Sequence, residues 1–474
     1  MEMFDALDAP TALTRRQKLL ACIATAAVCL EFLDYFLIGF IVTFVSTSWH
    51  LTFGQSSIIL LSSGIGAIGG AMFFGRLADR IGRRPVFLTT VTVFTLATAA
   101  MAFTPDDPTI GWLYLAALRI VVGFGAGGLY VVDLPMVQEF VPAAKRGRIT
   151  GYVTAAVPLG FLLGSVMVWL LSDLIGWRGI LLIAGVAGLF LLLIRLTIPE
   201  SPRYLARNGR PEDARRSVAW ALMVDENTLS ARDVITTEST EATESAPTIR
   251  ELFAYPRSLW LSTITNLGAQ TGLYGIALWA PTLLVMVLGI APAQAGMYMV
   301  FVTLGALAGR FTLSHLSETR GRRFTGMLAA FCAAGFIIIA AMVGDAYIGG
   351  VAVFLLAMIV VYFFAEGGFA VVGPYSGEVW PSRLRTTGMG FAYGIGGFGK
   401  VIGPLGLGMI VGSNNLVKPE ASVTDLLPAF GYFAAWYALC GLAFMILGFE
   451  TRAKNLELID AEIESRRQKA RVLN

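Results

Sequence analysis

The chain is divided into twelve blocks, each long and apolar enough to cross a bilayer, and that division leaves few folds open to it. A membrane-crossing helix needs about 20 mostly apolar residues. Blocks of that kind fall at 19–47, 56–76, 86–104, 112–138, 150–171 and 179–198, and after a polar interval at 258–288, 293–314, 324–343, 347–376, 386–411 and 427–449. The 474 residues are 56% hydrophobic and only 14% charged, whereas soluble proteins are about a quarter charged. In lipid, a helix satisfies its own backbone hydrogen bonds, so the blocks read as an all-α integral membrane protein. The first block is too long for a cleavable leader, and no small-residue cleavage site precedes a soluble domain.

Charge position carries more than the net charge of +3. All but five of the 35 basic residues fall in the terminal segments or in alternate loops, with Arg310 counted among the loop residues. The five exceptions are Arg119, Arg178, Arg195, Lys400 and Lys418. Basic residues concentrate on the cytoplasmic side of membrane proteins, which predicts cytoplasmic termini at both ends. Cys22, Cys29, Cys332 and Cys440 lie in apolar blocks without pairable spacing and read as packing residues. Two histidines exclude a His-rich metal site. With no metal-ligand cluster, nucleophile–base arrangement or phosphate loop, the sequence predicts no enzyme, no cofactor and no nucleic-acid partner.

The second half repeats the first at an offset of 239 residues. Asp79-Arg80-Ile81-Gly82-Arg83-Arg84 lands on Glu318-Thr319-Arg320-Gly321-Arg322-Arg323, and Glu139, Pro142, Arg146 and Gly151 land on Glu378, Pro381, Arg385 and Gly390. Gly66, Gly70, Gly160 and Gly164 land on Gly305, Gly309, Gly399 and Gly403. This predicts two pseudo-symmetric six-helix bundles, 1–198 and 258–450. Residues 199–257 join them, helical from Pro199 to Met223 and flexible from Asp225 to Thr248, where Ser, Thr and Glu dominate. The tail, 451–474, carries mixed charges at helical spacing and reads as a solvated helix.

The run Gly75-Arg-Leu-Ala-Asp79-Arg-Ile-Gly82-Arg83-Arg84 resembles the signature loop of the major facilitator superfamily. Glu139-Phe-Val-Pro142-Ala-Ala-Lys-Arg146-Gly147 and Pro199-Glu-Ser-Pro-Arg203-Tyr-Leu205 resemble its sugar-porter and metabolite:proton-symporter branches. The resemblance implies cytoplasmic latches in the outward-facing state, carried here by Asp79, Arg83, Glu139, Arg146 and Arg203 and by Glu318, Arg322, Glu378 and Arg385. The other reading of these residues is loop folding alone.

Ionisable groups inside spans are costly and are usually repaid by function. Glu31 and Asp34 are three apart and share a helical face. Arg119 precedes Glu139 by 20 residues, about 30 Å along a helix, near the depth of Asp34. The resemblance implies that Asp34 and Arg119 form a proton-coupling pair; a permanent buried ion pair is the alternative. Glu31 is a second acid, a substrate contact or polar packing. Lys400 lies about 22 Å beyond Arg385, placed either to hold a substrate carboxylate or to pair with Glu366. Span 7 carries Tyr274-Gly275 and Trp279-Ala-Pro281, resembling the metabolite branch, while Gly268 and Ala269 stand where sugar porters carry paired glutamines and only Gln270 is nearby. Tyr35, Phe36, Tyr274, Trp279 and Tyr393 are candidates for an aromatic-accepting cavity, or else packing.

The expectation is a monomeric secondary active transporter, working by alternating access and coupled to protons, for a small organic acid, aromatic acids included. The alternatives are a sugar or metabolite uniporter, a drug antiporter and a non-transporting membrane sensor. Short termini and outer loops without glycosylation sequons point to a bacterial inner membrane.

Overall fold

The computed structural model describes residues 3–9, 12–229, 248–343, 346–417, 423–452, 454 and 458–465. Lys418 and most of the expected flexible linker lie outside them. We label the helices α1 (Met3–Asp8), α2 (Arg15–Ser48), α3 (Phe53–Ile81), α4 (Arg83–Met101), α5 (Pro108–Phe140), α6 (Ala143–Thr154), α7 (Val157–Arg195), α8 (Pro202–Arg207), α9 (Pro211–Leu222) and α10 (Ile249–Leu252). The second half continues with α11 (Pro256–Leu288), α12 (Pro292–Arg320), α13 (Arg322–Val343), α14 (Val353–Glu378), α15 (Arg385–Gly396), α16 (Gly399–Val411) and α17 (Val423–Ile446), and with α18 at 458–465.

Eleven helical stretches among the described residues are long and apolar enough to span a membrane. One of them, Ala143–Arg195, is 53 residues long, about 80 Å if straight, and it turns at Gly176, where φ is +66°. Counted as two, it completes the twelve-helix arrangement. Local chemistry fixes the helix starts. Thr14 with Gln17, and Thr52 with Gln55, form capping boxes at α2 and α3; Asp107 caps α5 ahead of Pro108. The expected span at 347–376 starts late, because Gly349 and Gly350 adopt positive φ and turn Tyr347–Ile348 onto Val351–Ala352 as a small hairpin. Helix α14 begins only after it.

The repeat is visible atom by atom. A Cβ on Gly66 or Gly70 would strike the carbonyls of Ile120 or Phe124, and one on Gly309 would strike that of Phe363. Phe124 and Phe363 are 239 apart, so α3 sits against α5 as α12 sits against α14. Small residues let helix backbones approach in lipid, where no hydrophobic force drives them together.

The chain's described ends and α8–α9 gather at one end of the molecule, here the linker end. At the opposite, far end the bundles are joined. Gly39 faces the Leu278 carbonyl so closely that a Cβ would lie 2.5 Å from it, and the Thr43 and Thr282 hydroxyls hydrogen-bond at 2.9 Å. The Phe53 and Gly54 amides donate to the carbonyls of Asn415 and Ser413, and the Val417 amide to that of Leu51. Helix α3 packs along α16, and α12 along α7; no comparable packing joins α3 to α15 or α12 to α6. The two breaks, after Thr154 and after Gly396, are therefore where the bundles part. The space between them opens at the linker end.

The tail departs from expectation. Ile459 and Ile463 of α18 are buried in a cluster with Leu252, Trp380 and Phe449, so α18 is docked by an apolar stripe that its mixed charges conceal in the sequence.

Candidate substrate and proton site

Where the bundles part, α2 and α11 run side by side and their residues pair by the same offset. Glu31 corresponds to Gln270 and Tyr35 to Tyr274. The tyrosine rings meet edge to face, centroids 5.3 Å apart. The ammonium of Lys400 lies over both, 5.3 Å from the Tyr35 ring and 5.1 Å from that of Tyr274. Lys400 reaches this place because Gly399 and Gly403 bring α16 onto the backbone of α11, where a Cβ at either would lie 2.5 Å from Thr271. Gly160 does the same in the first bundle: its Cβ would strike the Cys29 carbonyl of α2. The residue after Gly160 is Phe161, the positional equivalent of Lys400. It stacks on Phe36 at 3.7 Å, and Phe36 in turn lies nearly parallel to Tyr274 at 6.1 Å. Tyr362 meets the other side of Phe161 edge-on at 5.9 Å.

The site has aromatic walls and polar atoms in need of partners. The hydroxyls of Tyr35 and Tyr362, Oε2 of Glu31 and both amide atoms of Gln270 are buried without a hydrogen bond. Buried polar groups rarely stay unpaired, and both bundles contribute to these, Tyr35 beside Tyr274 and Tyr362 beside Phe161. Glu31 and Lys400 interact electrostatically.

Asp34 points into the first bundle. Its Oδ2 meets Arg119 Nη1 at 2.6 Å, with both side chains 1% exposed, and the Thr98 hydroxyl donates to Oδ1 at 3.0 Å. The guanidinium also reaches the carbonyls of Asp34 and Tyr35 at 3.3 and 3.5 Å. Glu31 lies one turn from Tyr35 and within electrostatic reach of Asp34.

Two expected contacts go elsewhere, and a third stays with the tyrosines. Glu366 does not pair with Lys400: its Oε1 takes Arg310 Nη1 at 2.5 Å. Arg310, counted in sequence as a loop residue, is ten residues inside α12 and brings its own acid. Trp279 is fully buried in the far-end seam, its indole N–H donating to the Pro404 carbonyl at 3.0 Å and its ring against Phe53. Tyr393, on α15, interacts with Tyr274. Sequence reasoning passed over Thr98, Phe161 and Tyr362, and also a second buried pair, Asp133 with Arg195 at 3.3 Å and 0% exposure on both. Asp133 is legible as an acid inside an apolar block; Phe161 only as the residue 239 before Lys400.

At the linker end the latch residues form two equivalent clusters, each within its own bundle. Gly82 and Gly321 turn the chain at φ +103° and +107°, a conformation that favours glycine. Arg83 pairs with Glu139 at 2.8 Å and Arg322 with Glu378 at 3.0 Å. Glu139 also accepts from Ser201, and Glu378 from Thr451. The amides of Arg83 and Arg84 donate to Glu200, those of Arg322 and Arg323 to Glu450, a carboxylate at the positive end of a helix dipole. Asp79 is exposed, Glu318 reaches Arg322 at 2.9 Å, and Arg203 lies over the Phe4 ring.

Two bundles joined at one end and parted at the other are the architecture of an alternating-access carrier, a multi-pass membrane protein that moves a small molecule. Residues 24–404 match the Major Facilitator Superfamily, and the chain belongs to that family. It is 31% identical over 439 residues to the niacin transporter NiaP of Acinetobacter baylyi, covering 90% of this chain and 92% of that one. It is 22% identical to the cis,cis-muconate transport protein of the same organism, over 88% and 91% of the two chains. The partially occluded, inward-open xylose transporter XylE of Escherichia coli superposes with a TM-score of 0.74 at 17% identity, covering 93% of this chain and all of that one.

Proposed function

We propose that this carrier takes up an aromatic or heteroaromatic monocarboxylate of about the size of nicotinate, driven by protons. The observation that carries the reading is Lys400, a cation resting on two tyrosine rings beside an aromatic wall. Cation–π contact holds an ammonium loosely, and a carboxylate offers it a stronger, charge-assisted hydrogen bond. Phe161, Phe36 and Tyr362 then receive the ring, and Gln270, Tyr35 and Tyr393 its polar edge. A second carboxylate would meet Glu31 instead of a second cation, which favours a monoacid over a muconate-like diacid. The niacin transporter among the relatives supports the same class.

Proton coupling falls to Asp34, Arg119 and Glu31. A carboxylate held by one arginine releases it on protonation, freeing Arg119 to bias the bundles. The basic loops favour a cytoplasmic linker end, and on that reading the carrier stands inward-facing; we take it to be a monomer of a bacterial inner membrane. Bundles 1–198 and 258–450 rock, 199–257 tethers them and α18 rides on the second. The test is a thermal-shift series on purified protein with nicotinate, nicotinamide, cis,cis-muconate and xylose. Stabilisation by nicotinate alone, rising with concentration, is expected. Equal stabilisation by the neutral amide or by xylose sinks the carboxylate reading.

A further inference from the structure

The two chain ends perform one task in the two bundles. Asp8 closes α1, and its Oδ1 accepts a 2.7 Å hydrogen bond from the Ala143 amide at the start of α6. The same oxygen lies 3.5 Å from Arg146 Nη2. In the second bundle Asp460 of α18 accepts from the Ser382 amide at 3.1 and 3.2 Å and lies 3.9 Å from Arg385 Nη2. Ala143 and Ser382 are 239 apart, and so are Arg146 and Arg385. The two acids are not equivalent by that offset, because one precedes the first spanning helix and the other follows the last. Each bundle has drawn the same contact from a different end of the chain. Both ends are anchored for it: Met3 and Leu7 are buried under α1, Ile459 and Ile463 under α18.

Arg146 and Arg385 stand at the heads of α6 and α15, the two half-helices that line the opening and must approach one another when the linker end closes. While it is open, each is occupied by an acid of its own bundle. Arg385 is held loosely, its Nε and Nη2 buried without a hydrogen bond, ready for another acceptor. We propose that Asp8 and Asp460 are positioning residues that hold the two gate arginines apart and so favour the inward-facing state. Closure hands each arginine over to acceptors across the mouth, and removing the acids lowers the cost of that step. The inference rests on the linker end being the mouth that closes.

Distances between spin labels decide it, with Asn208→Cys and Arg452→Cys, both exposed at the linker end, introduced into the full chain after its four cysteines are replaced by alanine. In Asp8→Asn/Asp460→Asn the short-distance population should rise at least threefold, each single variant falling between. The Asp8→Glu/Asp460→Glu chain should keep the parent distribution. Unchanged distances in all three asparagine variants, or an equal shift in the glutamate chain, overturn the proposal. A ligand-induced shift of the same labels in the parent chain tests separately whether the mouth closes at this end.

Discussion

Thr43 and Thr282, equivalent residues of the two bundles, hydrogen-bond to each other at 2.9 Å on the axis that relates them. Thr43 also donates to the Gly39 carbonyl at 2.8 Å, which spends its proton and leaves Thr282 as the donor between them. The contact closes the far end, so its loss should favour the state open there. Thr43→Val strands the Thr282 proton, whereas Thr282→Val leaves Thr43 bonded to Gly39. The first should therefore shift the balance further, with a coupling of about 1 kcal/mol in a double-mutant cycle. Spin-label distances across the far end check the order; the reverse order would reassign the donor.

Asp34→Asn should abolish accumulation driven by a pH step while preserving counterflow exchange. A one-unit step is worth about 1.4 kcal/mol per proton, roughly tenfold accumulation for one proton per solute. Proteoliposomes loaded at two pH values measure it, and full accumulation by the variant places coupling elsewhere.

Lys400→Ala should cost about 2 kcal/mol for a carboxylate ligand, roughly 30-fold in affinity, the worth of a charge-assisted hydrogen bond. Nicotinamide, neutral and of the same shape, should lose far less. Calorimetric titration of both ligands separates recognition from packing, since equal losses would make Lys400 structural.

Phe161→Ala removes the ring that stacks on Phe36 and meets Tyr362. Aromatic stacking contributes about 1 kcal/mol beyond buried area, so affinity for nicotinate should fall roughly fivefold or more, with little change for a short aliphatic acid. A parallel loss for both acids would show that Phe161 supports the cavity without reading its contents.

Asp133→Leu should destabilise the first bundle by about 3 kcal/mol, because Arg195 is left buried and unpaired, while Asp133→Leu/Arg195→Met regains most of it. Thermal melts in detergent compare the two. If the single variant melts with the parent, the pair carries no stability.

What was legible in the sequence follows from which signals survive without a partner in view. The repeat, the spans and the Asp34–Arg119 pair each show as spacing or as charge at a computable depth. Glu366 and Lys400 share a depth, but depth along a helix says nothing of azimuth, and Arg310, near the end of its apolar block, reads as a loop residue although it lies inside α12. Phe161 gives no signal among 31 phenylalanines until its equivalent, Lys400, is seen over the tyrosine rings. Trp279 sits in an aromatic-rich span like a ligand contact, yet its indole N–H is committed to closing the far end. The docking of α18 turns on two isoleucines a turn apart, too few to stand out from a charged tail.

Phe161 and Lys400 occupy equivalent positions, one aromatic and one cationic. A cavity on a twofold axis offers an entering molecule two indistinguishable ways to lie. Replacing one of two equivalent side chains by an ammonium removes that degeneracy, so in the binding mode proposed above a solute with an acid at one end would load in a single sense, acid toward the second bundle and ring toward the first. Each bundle would then grip a different part of the cargo, and only a molecule carrying both parts would draw the two bundles onto itself.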